Sequence, residues 1–341
     1  MKAYFLVKNG QASSAFELRE APMPVPTATE VLIKAQGFGL NYADVMARLG
    51  LYEDCPKLPC VLGYEVVGHV EAIGSQVTGV KVGDRVTAMT RFGGYAQYVC
   101  ANMQALAVVP EDLSLGVAAA LATQYGTSWY CAEEMVNLHQ GDTVLIHAAA
   151  GGVGMGLVQL ALRKGCTVIG TAGSDDKLKF IKSLGAQHAI NYSTADWPTQ
   201  VQKIVGQRGL DVIFDSIGGA SVKKGIKALG SGGRIVCYGA AAMSDGNKRN
   251  LFNVLKVAAG FGLMSPIPLL MKSKSLLTVN MLRIADDRPE MIKRCLQSVV
   301  DLCIKGELEP IEGALFSHTD LAKAHNYLAE RKSIGKVAIT W

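Results

Sequence analysis

The segment Thr143–Gly156 (Thr-Val-Leu-Ile-His-Ala-Ala-Ala-Gly-Gly-Val-Gly-Met-Gly) constrains this chain more than any other. An apolar run enters a glycine-rich turn, and the residues after it read as a helix. Against the G-x-G-x-x-G template, Ala149 stands at the first position, while Gly151 and Gly154 fill the other two. In that pattern Gly151 lets the backbone approach a pyrophosphate, and Gly154 lets the helix pack closely on the sheet. The helix N-terminus then turns unpaired N–H groups and a partial positive charge toward the phosphates. A glycine fingerprint alone is weak. Here it follows an apolar strand and opens a helix, the context that separates a dinucleotide site from a plain strand–turn–helix corner.

The surrounding sequence supplies that context. Val144–Ala148, Thr167–Ala172, Ala189–Tyr192, Val212–Phe214 and Arg234–Tyr238 read as strands, with helical stretches Leu157–Lys164, Lys177–Leu184 and Val222–Leu229 among them. Unbroken apolar strands alternating with helices indicate a parallel sheet covered on both faces, a doubly wound α/β domain. Residues 1–120 read differently. Lys2–Val7, Phe16–Arg19, Glu30–Gly37, Val66–Ile73, Asp84–Met89 and Tyr95–Cys100 are short strand candidates separated by turn signals such as Asn9-Gly10 and Gly83-Asp84. Such spacing suggests a small barrel-like β unit. Leu276–Met281, a helix Pro289–Lys305 and a last strand Lys336–Thr340 fit a return to that first domain. A length of 341 residues agrees with two domains. The expected division is 1–122 with 273–341, and 123–272.

Cofactor choice should show about 20 residues after the fingerprint, where an acidic residue favours a free ribose 2′-hydroxyl. Gly170-Thr171-Ala172-Gly173-Ser174 contains no acid before Asp175 and Asp176, and Lys177 follows. A small polar strand end beside a lysine suits a 2′-phosphate, so NADPH is expected over NADH. Asp175 and Asp176 also suit the first turn of a helix, where the dipole favours acids.

Composition removes several alternatives. With 49% hydrophobic and 18% charged residues the chain reads as an ordinary globular protein, and a net charge of +5 lacks the basic stripe of a nucleic-acid binder. Met1 leads straight into an alternating run without a secretory h-region, so a cytoplasmic location is expected. Val257–Met271 is apolar but short and broken by Gly260, Gly262, Pro266 and Pro268. A spanning helix needs about 20 apolar residues, so a buried or lid-like helix is expected there instead. The eight cysteines contain no C-x-x-C and lie largely in apolar runs, which favours reduced core thiols over a disulfide framework or a metal site.

Further pieces carry a resemblance. Asn41-Tyr42-Ala43-Asp44 with Arg48 and Gly50-Leu51-Tyr52, Gly63-Tyr64-Glu65, Gly83-Asp84-Arg85-Val86, Gly93-Gly94-Tyr95-Ala96, Ala149–Gly154, and Arg331 with Gly335-Lys336-Val337 span almost the whole chain. Together they resemble the quinone oxidoreductase branch of the medium-chain dehydrogenase/reductase superfamily. Leu40–Tyr52 and Lys248-Arg249-Asn250-Leu251 are further similar to its vesicle amine transport protein subgroup. The resemblance implies a GroES-like catalytic domain built from both chain ends, a Rossmann domain between them, and a homodimer. It implies a phosphate turn of Ala150, Gly152 and Val153, and a 2′-phosphate group of Gly173, Ser174, Lys177, Tyr192 and Arg331. Asn41 and Thr127 would lie on the nicotinamide side, Ser216 near the adenosine, and Tyr238-Gly239 near the nicotinamide. Zinc-bearing members carry Gly-His-Glu where this chain has Gly63-Tyr64-Glu65, and a four-cysteine lobe where it has Phe92-Gly93-Gly94-Tyr95. A zinc-free site is therefore expected.

Without a metal to polarise a carbonyl, the expected acceptor delocalises incoming negative charge by itself: a quinone, or an enone or enal. Tyr52 is the candidate hydrogen-bond donor, or else an aromatic wall. Asn41 is the candidate orienting amide, or else a turn cap. Glu65 is expected to support the fold, and Phe252–Met271 with Asn280 to set acceptor size. A competing reading is a nucleotide-binding, vesicle-associated or regulatory protein with little turnover, because fold and cofactor binding do not establish catalysis.

Overall fold

The structure, a computed structural model, describes all residues except Leu263 and Met264, and all side chains but those two and those of Asp245, Lys248, Arg249 and Leu251. The expected acceptor-lining stretch Phe252–Met271 thus includes two residues outside the described set. The chain divides into two compact units. The first comprises Met1–Gly126, Ser244–Arg249 and Met281–Trp341; the second comprises Thr127–Met243 and Asn250–Asn280.

In the first unit, β1 (Lys2–Leu6), β2 (Phe16–Glu20) and β4 (Cys60–Val61) form one small antiparallel sheet. A larger sheet is organised on the long β3 (Glu30–Leu40), which pairs with β5 (Glu65–Ile73) and β7 (Tyr98–Asn102). Next to β5 lies β6 (Arg85–Met89), and next to β6 lies β8 (Leu106–Val108). Val31, Ile33, Val66, Val70, Val86, Val99 and Leu106 meet in one core, the alternating inward residues of these strands. Register shifts in β3 at Leu32/Ile33 and Ala35/Gly37 bend the sheet. Toward the far end of β3 only glycine fits. A Cβ on Gly39 would stand 2.0 Å from Glu65 Oε1 and 2.2 Å from Lys336 Cε.

In the second unit, β9 (Thr143–Ile146), β10 (Thr167–Ala172), β11 (His188–Asn191), β12 (Leu210–Asp215) and β13 (Leu229–Cys237) are parallel. A short hairpin of β14 (Ser244–Asp245) and β15 (Lys248–Arg249) follows in the chain and belongs to the first unit. The order β11-β10-β9-β12-β13-β16 is that of a Rossmann sheet, with β16 (Ser275–Thr278) as its last strand. This corrects one expectation. The strand read at Leu276–Met281 does not return to the first domain: Leu276 pairs with Ile235 and Thr278 with Cys237, in parallel. A short apolar run after a Gly/Pro-rich stretch carries no local mark of its partner.

The first unit closes with a helix Pro289–Ile304, which buries Ile292, Cys295, Leu296, Val299 and Val300 at helical spacing. Then β17 (Glu312–Ser317) pairs in parallel with β18 (Lys336–Thr340), and β18 lies antiparallel to β3. Val257–Met271 forms parts of two short helices, Leu251–Phe261 and Pro266–Met271. The second exposes Ile267, Leu270 and Met271, which corrects the buried alternative. Among the described residues no helix is long and apolar enough to cross a membrane.

Candidate active site

The dinucleotide turn is built from β9 outward. Past Ile146 the strand continues its pairing, with His147 N–H donating to Phe214 O and Ala149 N–H to Thr171 O, each at 3.0 Å. Ala148 then takes a left-handed conformation (φ 51°) and swings the chain into the helix Gly152–Arg163. Gly154 is fixed by packing: a Cβ there would lie 2.3 Å from Ala148 O and 2.7 Å from Ala149 Cα. Gly151 is different. Its φ of −82° suits any residue, and a Cβ would meet only Ala148 O, at 3.2 Å. No side chain caps this helix N-terminus. A glycine that packing does not demand, at an uncapped helix end, leaves room and donors for an anion. These residues therefore fit a dinucleotide pyrophosphate. Ala150 is buried, Gly152 and Val153 are partly exposed, and Ser128 Oγ anchors the helix by donating to Val153 O at 2.9 Å. Thr127 is buried in the same unit.

At the end of β10, Gly173 and Tyr192 are in contact, since a Cβ on Gly173 would stand 2.7 Å from the Tyr192 hydroxyl oxygen. Ser174 precedes the helix Asp175–Ser183, which carries Lys177. Both nearby acids have local partners. Asp175 Oδ1 accepts from Asn191 Nδ2 at 2.9 Å, and Asp176 pairs with Lys179 at 3.4 Å. Gly173 and Tyr192 thus meet in the second unit, where Ser174 and Lys177 follow Gly173 in the chain, while Arg331 belongs to the first unit, two residues after the helix Leu321–Ala329.

At the end of β12, Asp215 Oδ1 accepts from the N–H groups of Ile217 and Gly218, both at 2.7 Å. Ser216 and Gly239 are adjacent, because a Cβ on Gly239 would lie 2.8 Å from Ser216 O. Tyr238 joins the same corner through its N–H to Asp215 O. Burial pushes its phenol well above the ordinary value, so it is a poor proton source. Behind this corner the sequence reading missed a buried pair: His147 Nε2 lies 4.0 Å from Asp215 Oδ2. The imidazole is held by Thr171 Oγ1 at its Nδ1 (3.0 Å) and by the edge-on Trp197 ring.

In the first unit, Asn41 caps the helix Tyr42–Arg48, and its N–H donates to Asp44 Oδ2 at 2.8 Å. Its amide is also claimed. Nδ2 donates to Glu65 Oε1 at 3.0 Å, and Oδ1 accepts from Lys336 Nζ at 2.9 Å. Lys336 and Glu65 form a fully buried ion pair, and Glu65 Oε2 accepts from Thr123 N–H at 3.1 Å. Burial lowers the Lys336 pKa, and Glu65 opposes that shift. The expected supporting role of Glu65 is what this geometry displays, and Lys336 is the partner that sequence reasoning did not assign. The Asn41 amide is therefore held in one orientation.

Tyr52 is partly exposed, its ring 5.9 Å from Tyr64 and 6.5 Å from Phe92 in edge-on contacts. Burial, with Asp54 and Asp44 adding to it, pushes its phenol up to about 12. Tyr52 thus keeps its proton at neutral pH and can donate a hydrogen bond without readily giving the proton away. Tyr64 stands where the resemblance implies a histidine in zinc-bearing members. It is a buried wall against Phe92 at 5.1 Å, and burial raises its phenol far above the usual value. A neutral phenol is not among the N, S and carboxylate donors that zinc selects. Among the described residues, no three His, Cys, Asp or Glu side chains are grouped to hold a metal. The donor set does not fit zinc.

Comparison with known proteins agrees with this architecture. Residues 27–111 match the alcohol dehydrogenase GroES-like domain family, and residues 152–297 match the zinc-binding dehydrogenase family. The chain is 35% identical over 318 residues to a synaptic vesicle membrane protein VAT-1 homolog of Danio rerio, covering 93% of this chain and 65% of that protein. It is 32% identical over 323 residues to quinone oxidoreductase-like protein 2 of Bos taurus, covering 94% of this chain and 87% of that one. A mycobacterial protein solved in complex with NADPH superposes with a TM-score of 0.85 at 28% identity, covering the whole of both chains. The chain belongs to the quinone oxidoreductase-like group of the medium-chain dehydrogenase/reductase superfamily.

Proposed function

We propose that this oxidoreductase is NADPH-dependent and reduces a quinone, or a related enone or enal, without a metal. The observation that carries the reading is the open Gly151 at an uncapped helix N-terminus, with a 2′-phosphate corner whose two acids are already engaged. The mycobacterial neighbour's complex with NADPH supports the same cofactor. NADPH, when bound, supplies the hydride. The chain's own residues bind and orient. Ala150, Gly151, Gly152, Val153 and Gly154 offer backbone to the pyrophosphate, and Gly173, Ser174, Lys177, Tyr192 and Arg331 receive the 2′-phosphate. Thr127, Ser216, Tyr238 and Gly239 line the nucleoside and nicotinamide ends. Asn41 offers the second N–H of its fixed amide and Tyr52 a protonated phenol to the acceptor oxygen on which charge develops. The homodimer implied by the resemblance and the cytoplasmic location expected from the sequence belong to this same reading.

NADPH oxidation measured against a panel of quinones and α,β-unsaturated carbonyls tests it. Turnover on at least one member is expected. Tight NADPH binding with no turnover on any acceptor would favour the second reading, a nucleotide-binding regulatory or vesicle-associated protein, to which the naming of the vesicle-protein relatives points. Lys177→Ala and Arg331→Ala should weaken NADPH far more than NADH, and equal losses would refute the 2′-phosphate assignment.

A further inference from the structure

Tyr64 is anchored at its backbone and its ring, but not at its hydroxyl. Its carbonyl accepts from Thr90 N–H at 2.8 Å and from Thr123 Oγ1 at 3.3 Å. The preceding Gly63, with φ 104°, is pinned by Thr90 Oγ1, which donates to its carbonyl at 2.9 Å. The Tyr64 ring packs on Phe92 at 5.1 Å and edge-on to Tyr52 at 5.9 Å. Tyr64 is only 3% exposed, yet among the described residues its hydroxyl has no hydrogen-bond partner. Its neighbours in the same apolar cluster differ: the buried Tyr95 sets its hydroxyl 3.1 Å from His325 Nε2, and Phe92 has none to place. A buried hydroxyl without a partner costs free energy, and a phenylalanine would build the same wall without that cost. The hydroxyl lies on the Tyr52 side, where it opposes the rise of that phenol.

We propose that Tyr64 is a further catalytic residue, whose hydroxyl joins Tyr52 in donating a hydrogen bond to the acceptor oxygen as charge develops on it. The proposal rests on the reading of this chain as a quinone or enone reductase, and it supplies the partner that the hydroxyl lacks within the fold. A carbonyl oxygen has lone pairs for two donors, and a donor whose backbone and ring are already fixed needs no reorganisation when the charge appears. The hydroxyl is shut from solvent in the resting chain, so the acceptor meets it on entering past the partly exposed Tyr52 ring. Tyr64 keeps its proton throughout, because burial raises its phenol far above the usual value. It therefore stabilises charge and transfers nothing. Hydrogen bonds strengthen with the charge and basicity of the accepting oxygen. The enolate formed from an enone thus gains more from Tyr64 than the less basic hydroquinone anion formed from a quinone.

The test is Tyr64→Phe in the full chain, read by thermal unfolding, NADPH fluorescence titration and steady-state NADPH oxidation with menadione and with cyclohexenone. The expected result is an unfolding midpoint equal to or above that of the wild type, with NADPH affinity unchanged. At the same time kcat/KM should fall about a hundredfold on the enone and by a smaller factor on the quinone. A lowered midpoint would show that a neighbour or a buried water already satisfies the hydroxyl, and would overturn the proposal. So would undiminished kcat/KM on both acceptors. A wild-type chain that binds NADPH but turns over neither acceptor counts against the reductase reading itself, and the proposal falls with it. That outcome is seen in the wild type, whereas failure of the proposal alone is seen only in the variant.

Discussion

Lys336 donates its buried ammonium to Asn41 Oδ1 at 2.9 Å, across a separation of 295 residues. The same ammonium pairs with Glu65, which also accepts from the Asn41 amide. The last strand of the chain thereby fixes the rotamer of a side chain at the head of the helix Tyr42–Arg48. Gly39 is the condition for this meeting, since any Cβ there would occupy the space of both charged groups.

Breaking that pair from one side should be severe. Lys336→Met leaves Glu65 buried with only N–H donors, a change that destabilises by about 3–5 kcal/mol in comparable buried pairs. The double variant Lys336→Met/Glu65→Gln should recover part of that loss, because no charge is then stranded. Urea unfolding of the wild type, both single variants and the double variant reads the coupling. Strictly additive losses would mean that the pair is not coupled.

Asp44 sets a pH dependence in the same cluster. Burial is the main reason its carboxyl is pushed up to about 7; the Asn41 N–H opposes this, and Glu65 adds to it. An unfolded aspartate titrates near 3.9, so over the interval between the two values the folded state holds a proton that the unfolded state has lost. The stability from this group is full below the lower value and disappears as pH rises through about 7. Its contribution should fall by up to about 1.4 kcal/mol per pH unit in that window. Asp44→Asn should remove that slope. Chemical unfolding from about pH 5 to about pH 8 checks it, and an unchanged slope would rule out Asp44 as the source.

The two template glycines should separate binding from folding. Gly154→Ala forces a methyl against Ala148 O and should destabilise by about 1–3 kcal/mol through overpacking. Gly151→Ala meets nothing closer than 3.2 Å and keeps an ordinary φ, so stability should move by no more than about 0.5 kcal/mol. Its methyl would instead stand where the pyrophosphate approaches, and NADPH affinity should drop by about tenfold, or about 1.4 kcal/mol. Thermal unfolding and NADPH fluorescence titration read the two effects. Unaltered affinity in Gly151→Ala would place the phosphates elsewhere.

Why some of this was legible in sequence is a matter of range. The β9 turn is readable because its requirements are local: an apolar strand, a close backbone approach at Gly154 and a helix start lie within fourteen residues. Thr167–Ala172 is readable in the same way, as a short, largely buried strand between a glycine turn and the start of the helix Asp175–Ser183. The Lys336–Asn41–Glu65 cluster is not, because its members come from β18, a helix cap and β5, and only the folded sheet brings them together. The partner of β16 is hidden for the same reason.

The buried pair His147–Asp215 gives the second unit a measurable acid limit. Asp215 holds the Ile217 and Gly218 N–H groups and faces the imidazole at 4.0 Å. Burial lowers the His147 pKa, and Asp215 opposes the shift. The imidazole therefore stays neutral in the folded state while the unfolded chain begins to protonate near 6.5. Stability from His147 is present above that value and is lost as pH falls toward the lower folded one. Asp215→Asn retains an acceptor oxygen for both N–H groups but removes the opposing charge. The His147 pKa should drop further, and the acid-side loss should continue to lower pH than in the wild type. The charge-assisted bonds to Ile217 and Gly218 should also weaken, by about 1 kcal/mol in total. NADPH affinity should then fall about fivefold. Unfolding profiles of wild type and variant below neutral pH, with NADPH titration at neutral pH, measure both effects. Coincident acid limbs would show that Asp215 does not act on His147.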